Sequence, residues 1–188
     1  MPGGDTARPM RADARRNYER IVATAKELFT TQGADVPLDD VAKTAGVGAG
    51  TLYRHFPTRE KLFEAVYREE ITVLADRAFV LHDELPPWEA LEAWLLAQVT
   101  WVVERHKLAT ILKESIDSGS ETFLYCQKRL REATGLLVET AQQAGLVRPD
   151  VVGADVLRLG HGAGMAVRNC SPEEGRRVLA VIFDGLRA

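Results

Sequence analysis

The residues able to do chemistry are few, and they narrow the field early. The four histidines, His55, His82, His106 and His161, are scattered and have no metal-ligand spacing. No nucleophile, general base or carboxylate pair stands out, so the sequence predicts no enzyme, no catalytic residue, no metal and no cofactor. What remains is cationic chemistry. Arg8, Arg11, Arg15, Arg16 and Arg20 fall in one short stretch that could neutralise phosphates. An ordinary disordered tail has the same composition. The net charge of −3 argues mildly against a polyanionic partner. Its distribution argues otherwise: residues 1–68 hold eleven Lys/Arg against nine Asp/Glu, and residues 69–188 hold thirteen against eighteen.

A second group of polar residues sits in Leu38 to Lys61, LDDVAKTAGVGAGTLYRHFPTREK. Two short helices meet there at a turn containing Gly46, the layout of a helix-turn-helix. Small Ala42 lets the helices cross closely, and Gly46 lets the backbone reverse without a Cβ clash. Leu52 and Phe56, four apart, anchor the second of these helices inward. Thr51, Arg54 and His55 are left on other faces, with Tyr53 at a flank. A short helix with small residues at its start and polar groups behind can enter a major groove. The same side chains have plainer uses: Tyr53 can pack between helices, His55 can be a surface histidine and Arg54 can point to solvent.

Nearly every other segment reads as helix, so the expected fold is all-α with about nine helices. Tyr18, Ile21, Val22, Ala25, Leu28 and Phe29 mark one face of a first helix that ends at Gly33. Helices over Leu38–Thr44 and about Ala49–Phe56 follow, and Thr58 is placed to cap a long fourth helix ending near Leu81. Leu85-Pro86-Pro87 is the clearest seam. A fifth helix is expected from Trp88 to about His106, apolar on two faces and hence central. A sixth covers about Leu108–Ile116, a seventh Glu121–Ala144 and an eighth Val152–Arg168. Ser171-Pro172-Glu173-Glu174 is a start signal for the ninth, with a capping box and proline at the first helical position.

The 188 residues suit one small reading module and one larger domain. Hydrophobic residues at 46% and charged residues at 27% give a globular profile. The longest uncharged apolar run, Ala93 to Val103, is too short to span a bilayer. The N-terminus lacks an apolar signal core. Cys126 and Cys170 make no disulfide framework. The expectation is a cytoplasmic chain with reduced thiols and no membrane partner.

AGVGAGTLYRHFPTREKLFEAV resembles the signature of TetR/AcrR-type repressors, in which AGVS-x-G-x-LY-x-[YH]F is followed by a basic residue and a leucine. The match covers Tyr18 to Val66. The resemblance implies a flexible basic arm at 1–14, a helix-turn-helix DNA-binding domain at 15–60, and a ligand-binding and dimerisation domain at 61–188. It implies a homodimeric repressor that leaves a double-stranded DNA operator when a small-molecule effector binds. Gly48, Ala49 and Gly50 would lie nearest the base edges. Thr51, Tyr53 and His55 would contact phosphates or nearby bases, with Arg54 beside them. Arg59 holds the family's phosphate-clamping position, and Lys43 and Lys61 are secondary contacts. Pro37 and Gly48 replace the family's usual capping hydroxyl residues.

For the larger domain, the resemblance implies that the last two helices form the dimer interface. Leu159, Gly160, Ala163, Val178, Ile182, Phe183 and Leu186 are the candidates. The glycines of Leu159–Ala166 fit this, since each weakens a helix by about 1 kcal/mol and is easier to understand where another backbone comes close. A nucleotide-binding loop is the poorer reading of Gly160–Gly164, because no strand precedes it. An effector pocket would lie among helices four to seven. Its candidates are Trp94, Gln98, Trp101 and Arg105 on one helical face, with His106, Phe123, Tyr125, Cys126 and Arg129 nearby. Tryptophans on a central helix also serve as plain core. An enzyme with a vestigial helix-turn-helix and a non-specific DNA-coating protein are the alternative classes; the acidic C-terminal part disfavours coating.

Overall fold

The structure is a computed structural model that describes residues 7–33, 35–115 and 119–188, with side chains described except at 7–11 and 105–115. Among the described residues the chain forms eight helices. They are α1 (Ala7–Gln32), α2 (Leu38–Thr44), α3 (Ala49–His55), α4 (Arg59–Glu84), α5 (Pro87–Ser115), α6 (Glu121–Gln143), α7 (Gly153–Val167) and α8 (Pro172–Leu186). The count differs from nine because the expected fifth and sixth helices are one. No glycine or proline lies between Trp88 and Ser115, and the polar His106-Lys107 pair does not break a helix.

The expected arm also changes character. Residues 7–14 are the first turns of α1, and Pro9 is tolerated there because a first turn has no intrahelical partner for its missing N–H. Arg15 pairs with Glu19 at 2.7 Å, Arg16 with Asp13, and Arg20 donates to Asn17 at 2.7 Å. The side chains of Arg8 and Arg11 lie outside the described residues.

Two buried clusters organise the helices. Ile21, Val22, Ala25 and Phe29 of α1 meet Val41 and Ala42 of α2, Leu52 of α3, Phe56, and Leu62, Phe63 and Val66 of α4. Phe29 and Phe63 pack with ring centroids 4.8 Å apart. This first core runs past the expected boundary at 60/61 to Val66. The second core holds Ala75 and Ala78 of α4, Leu91, Trp94 and Leu95 of α5, Leu137 and Val138 of α6, Val156 of α7 and Leu186 of α8. Residues on both sides of Leu85-Pro86-Pro87 belong to it, so that seam is a corner between packed helices. α4 serves both cores and is the rigid link between them.

α7 lies on α5 through its glycines. A Cβ on Gly160 would sit 2.2 Å from Gln98 Oε1, and one on Gly164 would sit 2.5 Å from Val102 Cβ. The close backbone approach expected at a dimer seam is therefore used inside the chain. Gly160, Ala163 and Leu186, candidates for that seam, are buried in a single copy. Ile182 and Phe183 are partly packed on the second core, Phe183 edge-on to Trp88. Leu159 and Val178 remain exposed, as do Met165 and Val181. The Leu186 carbonyl accepts from Arg148 N at 3.1 Å and Ala188 N donates to Leu146 O at 3.3 Å, which ties the end of α8 to the turn after α6.

Candidate nucleic-acid interface and ligand cavity

The turn between α2 and α3 is closed by backbone geometry. Gly46 adopts φ +66°, a left-handed conformation that glycine enters without a Cβ penalty. Gly46 N donates to Lys43 O at 3.1 Å and Val47 N to Ala42 O at 3.0 Å, the paired bonds of a Schellman end. Neither Pro37 before α2 nor Gly48 before α3 supplies a side-chain cap. Thr58 does cap α4, accepting from Lys61 N at 3.4 Å.

With Leu52 and Phe56 buried, α3 turns its remaining side chains outward. Lys43, Gly48, Ala49, Gly50, Tyr53, Arg54 and Lys61 are exposed, and Thr51, His55 and Arg59 are half-buried. Tyr53 is 44% exposed, so a large part of its ring is open to a partner. His55 has a structural contact that its sequence position did not suggest: Tyr18 of α1 meets its ring edge-on at 6.1 Å and packs on Phe56 at 5.1 Å. Burial pushes the Tyr18 phenol above its ordinary range. Lys61 Nζ is held by Glu64 at 3.0 Å, so its charge is already compensated.

In the second domain a cavity of about 470 Å³ opens between α4, α5, α6 and α7. Three of the expected residues line it: Gln98, Trp101 and Phe123. Trp94 does not. It is fully buried, and its indole N–H donates to Leu74 O at 3.2 Å. Cys126 is likewise sealed in the core, and burial pushes its thiol up to about 11. Tyr125 is on the outside with the Arg68 guanidinium 4.3 Å above its ring. Arg129 is paired with Asp76 at 2.6 Å and lies over Phe79. The side chains of Arg105 and His106 fall outside the described residues.

The sequence reading missed Tyr67, Gln127, Arg131, Arg158 and His161, which also line the cavity. Nothing in their local spacing marks them, because they come together from three helices whose rotation is set by packing. Tyr67 stacks near Phe123, and burial pushes its phenol up to about 12, so it stays a neutral donor. The Trp101 indole donates to Glu70 Oε2 at 3.1 Å. Glu70 is buried on α4 and forms an ion pair with Lys26 of α1. A side chain on the cavity wall is thereby connected to α1.

A rigid helix-turn-helix carrying outward polar groups, joined by one helix to a domain with a cavity, defines a helical DNA-binding regulator. The comparisons agree. Residues 21–66 match the family described as "Bacterial regulatory proteins, tetR family", and residues 86–188 match "Transcriptional regulator SbtR-like, C-terminal domain". A TetR transcription regulatory protein from Mycobacterium vanbaalenii is 34% identical, with 96% of this chain and 100% of that one aligned at a TM-score of 0.73. A TetR transcriptional regulator from Streptomyces coelicolor is 35% identical over 90% of this chain and 98% of that one, at a TM-score of 0.71. An HTH-type transcriptional regulator of Staphylococcus aureus strain MRSA252 is 32% identical over 119 residues. That alignment takes in 62% of this chain and 54% of the relative, so the chain matches about half the length of that protein. The chain belongs to the TetR family of bacterial transcriptional regulators, whose members are DNA-binding proteins rather than enzymes. Among the described residues no helix is long and apolar enough to cross a membrane.

Proposed function

We propose that the protein is a homodimeric repressor, acting in the cytoplasm, that a small-molecule effector releases from its operator. The observation that carries the reading is α4. It contributes Phe63 and Val66 to the core that holds the reading helix, and Tyr67, Ile71 and Leu74 to the cavity. Anything that moves α4 moves both.

In this reading two copies pair through the exposed apolar residues of α7 and α8, Leu159, Met165, Val178 and Val181. Their two α3 helices must then match the spacing of two half-sites. Gly48, Ala49 and Gly50 face the base edges. Thr51, Tyr53, Arg54 and Arg59 contact the backbone and neighbouring bases, with Lys43 as a secondary contact and His55 held in place by Tyr18. An effector in the cavity presses on Trp101. The bond from Trp101 to Glu70, and the pair from Glu70 to Lys26, then carry that change to α1. The effector weakens operator binding by its preference for the α4 position that mismatches the half-sites.

Selection from a random duplex pool at near-physiological salt tests the reading. The expected product is a palindromic site bound by two copies. Equal binding to every duplex, collapsing with salt, would sink it. Trp101→Phe should keep operator binding without effector and shrink the effector's influence on it.

A further inference from the structure

Which molecules the cavity takes can be read from the groups left open on its wall. We infer that its ligand is an amphipathic organic anion, with an apolar or aromatic body and a carboxylate or similar acidic group held by Arg131. The inference rests on the effector reading above and deepens it.

The body of the site is apolar. Ile71, Leu74, Val102, Leu130 and Leu157 supply aliphatic surface, and Tyr67, Trp101 and Phe123 supply rings. The volume, about 470 Å³, suits a small organic molecule. The polar groups are unequal. Gln127 Oε1 accepts from Arg131 at 2.9 Å, and Gln98 Oε1 is buried against the backbone of Gly160 without a hydrogen-bond partner. The Gln98 amide nitrogen is held by Leu157 O at 2.8 Å, which fixes the orientation of that side chain. The Tyr67 hydroxyl lines the cavity and can donate or accept, while Arg131, a donor only, spends one N–H on Gln127.

The charges point the same way. Arg131 and Arg158 line the cavity, and no Asp or Glu does so among the described residues. This is notable in a part of the chain whose overall balance is acidic. Glu70, the buried acid behind Trp101, is committed to Lys26 and the indole. Arg158 is paired with Asp155 at 3.1 Å, but Arg158 is exposed and Asp155 only half-buried, and surface pairs of this kind are weak. Arg131 forms no ion pair with a described carboxylate, and Gln127 holds its guanidinium at the cavity edge. A wall whose charged side chains, among the described residues, are both arginines selects for negatively charged ligands. A planar guanidinium also matches a carboxylate with two parallel hydrogen bonds.

Titration calorimetry with naphthoate, naphthylmethanol and naphthylmethylammonium tests this on the full chain. Naphthoate should bind on the order of tenfold tighter than the alcohol, as expected for one charge-assisted contact, and the ammonium should bind weakest. Arg131→Ala should bring naphthoate down to the level of the alcohol and leave the alcohol unchanged. Thermal melting of the variant checks that this exposed substitution leaves the fold intact. Preference for the alcohol or the ammonium overturns the anion assignment but leaves the cavity as a binding site. An acid preference that survives both Arg131→Ala and Arg158→Ala overturns the assigned residues. If none of the three binds the unaltered chain, the inference falls, while the effector reading stands or falls separately on the operator selection and on Trp101→Phe.

Discussion

Glycine serves opposite ends in two regions of this chain. Gly48 and Gly50, at the start of α3, face open space: a Cβ added there would meet nothing within 4 Å. Gly160 and Gly164, on α7, have no such room, because α5 occupies it. The first pair leaves a gap on the outside of the protein, and the second closes a gap on the inside. Smallness on α7 is a packing requirement that a single copy satisfies. On α3 the chain itself has no use for it, so any requirement must come from what approaches the helix. Identical composition thus has two physical causes, and only the neighbouring backbone tells them apart.

Five measurements break or sharpen that contrast. The largest effect is expected from Gly164→Val, whose side chain would collide with Val102 and approach the backbone carbonyl of Val99. Overpacking of this kind costs about 3 kcal/mol, read as a clear drop in melting temperature; an unchanged melt would mean that α7 does not need its glycine. Next come Tyr53→Ala and Arg59→Ala. Each should leave the fold intact and weaken binding to all duplexes alike by about tenfold, or ~1.4 kcal/mol. Loss of discrimination at particular base pairs instead would contradict the clamp role.

Gly50→Ala should move stability the other way, upward by about 0.5–1 kcal/mol, since alanine suits a helix better and nothing obstructs it. If operator affinity falls in that variant, the gap is needed by DNA. If affinity holds, close approach at Gly50 is wrong.

The last test changes no residue and concerns buried against exposed groups on the inner side of the contrast. Cys126 and Tyr67 have raised proton affinities in the folded chain, at about 11 and about 12 against ordinary values of 9.0 and 10.0. The unfolded chain therefore loses these protons first, and stability should decline as pH rises from about 9 toward 12. A thiol reagent near pH 8 should label exposed Cys170 and spare Cys126. Rapid labelling of both in the folded protein would show that the second core opens readily.

The reading head was largely legible in advance. Leu52 and Phe56 are four apart in a short helix, so both must face inward, and Tyr53 and Arg54 must then face elsewhere. Gly46 marks a reversal that only a left-handed residue makes cheaply. These are consequences of local geometry over a few residues. The cavity was legible only in part. Gln98 and Trp101 were expected on one face of a central helix, and they do line it. Trp94, one turn earlier on that same face, went to the core because α4 crosses there and offers the Leu74 carbonyl to its indole.

The sequence alone determined the helical class of most described segments, the helix-turn-helix, and the caps at Thr58 and Ser171. Each follows from periodicity or from a hydrogen bond within a single turn. Tertiary structure decided what lies beyond a single turn. It placed Tyr18 against His55, joined Trp101 through Glu70 to Lys26, and assembled Tyr67 and Arg131 on one wall. It also turned Gly160 and Gly164 toward the chain's own α5 instead of a second copy. Those pairings depend on how far each helix rotates and where it crosses its neighbour. That is set by the sum of contacts along two helices at once, and no spacing within one helix contains it.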